Sequence, residues 1–183
     1  MMPMKRTLVG LAILLSLIAC SQNAGSTGRD PEIYLIPDGY VGSFYILFNL
    51  PRGEPQRYED GARVYEIPPG GMLLMQSDAN EGRIRSDKIQ FFYVHPDGSR
   101  TQIKERWTTS LHDTPENRRD KRVTMFGGGI GIFEPIRHCK VVHKAFYVGT
   151  KAQAIDWEGG FDIFSERGVE SVSEEVFLDV CGS

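Results

Sequence analysis

Three cysteines and four histidines bound the reactive chemistry open to this chain. His138, Cys139 and His143 lie close together, and with Cys181 they make four zinc-type donors. Neighbouring residues on a strand point to opposite faces, so His138 and His143 do not converge on one ion, and the set reads as a disulfide flanked by surface histidines. The run Gly127-Gly128-Gly129-Ile130-Gly131 has the glycine density of a phosphate loop. It lacks the following Lys-Ser/Thr and the spacing of a dinucleotide fingerprint, so it reads as a turn or bulge entering the next strand. Gly-x-Ser-x-Gly, Ser-x-x-Lys with its partners, a free cysteine with an orienting histidine and His-Glu-x-x-His are all missing. A glycosidase carboxylate pair is defined by its separation in space, which sequence does not give. No catalytic residue, metal ligand or cofactor is assigned, and the reading leans away from an enzyme.

Two other groups carry weaker chemistry. Arg118, Arg119, Lys121 and Arg122 could meet anionic headgroups or an acidic polysaccharide. Asp113, Glu116 and Asp120 interrupt them, which is the pattern of a solvated loop. Tyr40, Tyr58, Tyr65, Trp107 and Trp157 could include a stacking platform for sugars, although aromatics in a β domain usually serve as core or cross-strand pairs.

The third cysteine has a different setting. Lys5 and Arg6 precede an uncharged apolar stretch from Leu8 to Ile18, and Ala19 stands before Cys20. That is a secretory signal, too short for a membrane span, whose first residue after cleavage carries a thiol. The segment Leu17-Ile18-Ala19-Cys20 resembles the lipobox of bacterial lipoproteins. The resemblance implies cleavage after residue 19 and lipidation of Cys20. Ser21 behind it resembles the outer-membrane sorting state of Gram-negative bacteria. Two or more acyl chains hold a protein on a bilayer essentially permanently. The expected location is therefore the cell membrane or outer membrane, facing the periplasm or the cell exterior. The competing readings are an ordinary signal peptide with an incidental cysteine and a core helix of a cytoplasmic protein.

Removal of residues 1–19 leaves 164 residues, enough for one domain with a real core. Loss of Lys5 and Arg6 moves the net charge from −3 to −5. That acidity argues against nucleic acid as a partner, because phosphate binding needs a basic footprint. With Cys20 acylated, Cys139 and Cys181 remain, and export places them where disulfides persist. They are expected to pair, the alternative being two buried thiols.

Residues 20–31 are small, polar and Gly/Ser-rich, a composition that does not order itself, and read as a tether. The domain then spans 32–183. Short apolar runs punctuated by Pro and Gly point to a mainly β fold. Strands are expected over Ile33–Ile36, Ser43–Leu50, Arg63–Ile67 and Met72–Gln76, so closely spaced that antiparallel pairing follows. Ser43–Leu50 is apolar on most of both faces, as a central strand is. Ile89–Val94 and Ser99–Trp107 flank His95-Pro96-Asp97-Gly98, a hairpin turn. Residues 110–122 read as a long exposed loop and Lys140–Val148 as a further strand. Val169, Val172, Val176 and Val180 stand at near-helical spacing, yet their β-branching leaves a closing strand open.

Tyr34 to Gly42, with Tyr58 to Pro68 after it, resembles an uncharacterised bacterial domain found on secreted lipoproteins, over about residues 33–85. That resemblance implies no activity, ligand or catalytic residue. The expected fold is a single antiparallel β-sandwich or open barrel with a short C-terminal helix. The expected role is membrane-anchored binding or envelope scaffolding, with an envelope protein or polysaccharide as partner. An envelope-polymer hydrolase and a polysaccharide-binding module are the alternatives.

Overall fold

The computed structural model describes residues 29–82, 85–136, 138–165 and Cys181. Within them the chain crosses repeatedly between two sheets. The first sheet holds β1 (Glu32–Pro37), β3 (Arg57–Glu59), β4 (Ala62–Glu66), β6 (Ile89–Val94) and β7 (Arg100–Gln102), in the order β3-β4-β1-β6-β7. The second holds β2 (Gly42–Leu47), β5 (Met72–Leu74), β8 (Glu105–Trp107), β9 (Thr124–Ile136) and β10 (Cys139–Gly149), in the order β5-β2-β10-β9-β8. Two short helices, α1 (Pro115–Arg119) and α2 (Lys151–Ile155), complete the described chain. Mainly β and sandwich-like, the fold matches the class read from the sequence, with α2 as the short helix toward its carboxyl end.

Strand direction departs from that reading. β1 lies parallel to both β4 and β6, β2 parallel to β5, and β8 parallel to β9. The rule that parallel neighbours need a long connection still holds. Here the connection between β1 and β4 is a visit to the opposite sheet through β2, so β1 pairs with β4 and β6 rather than with its sequence neighbour. The expected hairpin does form: the Pro96-Asp97-Gly98 turn closes with the His95 amide donating to the Ser99 carbonyl at 2.9 Å, and β6 pairs antiparallel with β7. Its second strand stops early. After Ile103 the chain leaves the first sheet, and Glu105–Trp107 joins β9 in the second.

Period-two patterning makes the core. Tyr34, Ile36, Tyr65 and Phe91 of the first sheet meet Phe44, Ile46, Met125, Phe146 and Val148 of the second. The alternate residues of β2, Tyr45 and Leu47, bury on the outer face of the second sheet with Phe133, Cys139, Val141 and Ile163. That is why β2 is apolar on both sides. The first sheet also curls. Glu59 of β3 accepts two bonds from Arg100 of β7, at 2.7 and 2.9 Å, although a flat sheet would hold these outermost strands roughly 19 Å apart. Ile33, Leu35, Ala62 and Val64 fill the resulting hollow, flanked by Phe92 and Val94.

The glycine run is a bulge inside β9. Ala145 pairs with Gly129 and Phe146 with Gly127, leaving Gly128 as the extra residue, and Gly127 and Gly128 take φ of 83° and 97°. The charged stretch before it is largely exposed, as expected, but it is not all loop: α1 forms a single helical turn, which Thr114 caps by accepting from the Asn117 amide. The element expected between Val169 and Val180 lies outside the described residues.

Candidate functional site

Two features occupy opposite ends of β1. At its carboxyl end a cleft of about 660 Å³ opens out of the hollow of the first sheet. Leu35, Val64 and Val94 form one wall, and Met72 and Leu74 of β5, the terminal strand of the second sheet, form the other. Prolines 37, 55, 68 and 69 stiffen the rim. A strap from Arg52 to Arg57 closes one side. Its Glu54 amide donates to the Leu74 carbonyl at 2.7 Å, and the Gln76 amide donates to Glu54 at 3.0 Å. Gly53 permits this approach, since a Cβ there would lie 2.7 Å from the β5 backbone. The polar groups are at the mouth, where Arg57 pairs with Glu66 at 2.5 Å and both are exposed. The chemistry on offer is apolar contact in a preshaped groove with charges around it.

At the amino end of β1 lies a buried ion network. Glu32 and Lys144, one from each sheet, are fully buried and bonded at 2.5 Å. Glu32 also accepts from Arg29, from the Tyr34 hydroxyl at 2.8 Å and from Asn80 at 2.8 Å. Burial alone would discourage its ionisation, but Lys144 and Arg29 outweigh that and hold its carboxyl below the usual value. Burial pulls Lys144 down to about 8, against the pull of Glu32 and with help from Arg29 and Arg63. Its ammonium sits 5.5 and 5.6 Å from the rings of Tyr65 and Phe48. Around it Arg63 bonds Asp30 at 3.0 Å and Asp78 at 2.6 Å, while the Asn80 amide group bonds the Asp30 carbonyl. Glu32 and Lys144 both have zero exposure and neither lines the cleft, which marks the network as structural.

The residues singled out from the sequence are dispersed. Cys139 on β10 is bonded to Cys181, with Cα atoms 5.3 Å apart. His138 is exposed in the β9–β10 turn, but His143 is not the surface histidine expected. It is 5% exposed, because its side chain shares the face of Tyr45 and packs on Phe164, over Gly131. Burial lowers its pKa. Arg118 pairs with Asp113 and Asp156, and Arg122 with Asp120 and Glu105, so two of the four cations of the basic cluster are matched by carboxylates in place. Tyr65 is core and Trp107 lies under Lys151, whereas Tyr58 and Trp157 are exposed in different sheets' surroundings. Cys20 and its lipobox lie outside the described residues. Sequence reasoning missed both the cleft and the network. A signal for the network existed: a lone Glu32 and a lone Lys144, opposite in sign, each bordering or interrupting an apolar run.

No curated protein matches the chain. Among solved structures it is similar to a candidate lipoprotein of Bacillus anthracis, with a TM-score of 0.50 and 17% identity over 77% of this chain and 87% of that one. At that identity the likeness is one of fold. A family model matches residues 28–129, more than half of the sequence, and that stretch carries both the network's acidic partner Glu32 and the whole lining of the cleft. The chain belongs to this family, the family of unknown function DUF6843.

Proposed function

We propose that this protein is a lipid-anchored envelope protein whose domain binds a segment of another protein in the cleft beside β5. The observation that carries the reading is the polarity of β1. The tether enters at Glu32, and the cleft takes in Leu35, Ile36 and Pro37, about 10 to 16 Å further along the strand. A domain held to a bilayer through Cys20 then offers the cleft away from the membrane. The lining decides between partner classes. Sugar sites use exposed aromatic faces beside polar side chains, whereas this groove is aliphatic and proline-rich, with a terminal strand as one wall and charges at its rim. An extended peptide segment fits that chemistry best.

Mass spectrometry of the membrane fraction tests the anchor: an acylated Cys20 as the first residue is expected, and an intact Met1 or an unmodified Cys20 overturns it. A photo-crosslinker at Met72 in growing cells tests the cleft. It is expected to trap a defined protein that a crosslinker at Asp97 does not, and Val64→Arg is expected to abolish the product. Equal capture at both positions, or retention of isolated envelope polysaccharide by the purified domain with no protein product, overturns the assignment.

A further inference from the structure

The junction between tether and domain is more heavily fastened than a flexible leader requires. The Asp30 amide donates to the Asn80 side chain at 3.0 Å, and the Pro31 carbonyl accepts from the Arg63 amide at 2.8 Å. Asn80 holds this position with a φ of 48°, a conformation uncommon outside glycine. One residue later Glu32 gathers Arg29, Tyr34, Asn80 and, from the opposite sheet, Lys144. The strand that follows is the middle one of its sheet and parallel to both neighbours, registered over Glu32–Leu35 with β4 and over Glu32–Pro37 with β6.

From these contacts we infer that β1 is a force-transmitting element, which passes tension on the tether into both sheets at once. The inference rests on the anchoring proposed above. A pull on the amino end of β1 along its axis strains its ladder bonds to β4 and β6 together, in shear, rather than opening them one after another. Before any of them can slide, Glu32 must leave Lys144, which takes a carboxylate away from its partners in a dry interior. Removing one member of such a pair is costly because the other is left buried and unpaired. A chain fixed to a membrane at one end and to a partner at the other needs resistance along this line.

Single-molecule force spectroscopy on the chain from residue 20 onward tests the inference, with Cys20 linked to a surface. A second handle, an azide-bearing side chain, is introduced at Asp97, in the turn beyond the carboxyl end of β6, or at Lys88, just before its amino end. The Asp97 handle loads β1 and β6 in shear, and the Lys88 handle peels them apart from the end at which Glu32 faces Ile89. The unfolding force is expected to be several-fold higher at Asp97. Because Glu32→Gln alone strands Lys144 and can prevent folding, the network is tested with the double variant Glu32→Met/Lys144→Met. It is expected to fold and to unfold at clearly lower force through Asp97. Equal forces at the two handles, or a double variant that keeps the wild-type force, overturns the inference. No lipid enters this measurement, so its failure leaves the acylation of Cys20 standing, and an unmodified Cys20 leaves the force comparison standing.

Discussion

Lys144 is the residue on which the interior is most finely balanced. A charge with no exposure is tolerated because Glu32 answers it and because four further donors share the carboxylate's load. Lys144→Met is therefore expected to cost about 3–5 kcal/mol, whereas Glu32→Met/Lys144→Met is expected to cost less, since it leaves no fully buried charge unpaired and removes only the acceptor that Arg29, Tyr34 and Asn80 share. Urea unfolding of the two single variants and the double closes the cycle, and equal losses in all three would contradict the argument. The pH dependence has a defined sign. Glu32 is held below its ordinary 4.5, so the wild type carries stability above that pH which it loses as acid protonates the carboxylate. Lys144 is held near 8, below its ordinary 10.5, so between those values the unfolded chain binds the extra proton and stability rises with pH. The difference in unfolding free energy between wild type and double variant should then grow from pH 3 to 6 and again from about 8 to 10. A flat difference would show that the pair does not titrate with folding.

At the scale of elements, β9 shows what the glycines are for. A Cβ on Gly127 would stand 2.7 Å from the Ala145 carbonyl oxygen at a φ of 83°, whereas one on Gly129 meets nothing within 4 Å. Gly127→Ala is expected to lose about 1–3 kcal/mol and Gly129→Ala close to nothing, read from urea midpoints at constant slope. Equal effects would mean that the bulge re-registers. The bulge was legible in the sequence because glycine clustering beside β-branched residues has a local cause, and so was the His95–Ser99 turn. The double-sided burial of β2 was legible for the same reason, as every second residue along it is large and apolar. Strand partnership was not. It is set by which runs share a sheet, and the local pattern of β1 or β4 says nothing of the crossing through β2 that brings them side by side. The burial of His143 was hidden in the same way: its neighbours Tyr45, Gly131 and Phe164 come from three distant stretches of chain. The cleft, whose lining runs from Leu35 to Val94, follows from that unreadable partnership rather than from any motif.

For the whole molecule, the interleaving of strands sets a requirement that the family boundary does not reveal. The matched region closes at residue 129, inside β9, and omits β10. Yet β10 is the central strand of the second sheet, pairing antiparallel with β2 over Gly42–Leu47 and with β9 along most of its length. It also supplies Lys144 to the ion network, Phe146 and Val148 to the main core, and Cys139 to the disulfide that fastens Cys181. Without it the second sheet has no middle, and Glu32 is left without its cross-sheet partner. A fragment of residues 28–129 is therefore expected to remain unfolded, with random-coil amide dispersion by NMR and no cooperative thermal transition, whereas residues 29–181 melt in one transition. Adding residues 138–181 as a separate peptide is expected to restore dispersion, because what the fragment lacks is a strand and its contacts rather than an independent domain. A fragment of 28–129 that folds alone, with a transition of its own, would show that the matched region is an autonomous unit and that the two sheets do not depend on each other as their shared core and the Glu32–Lys144 pair require.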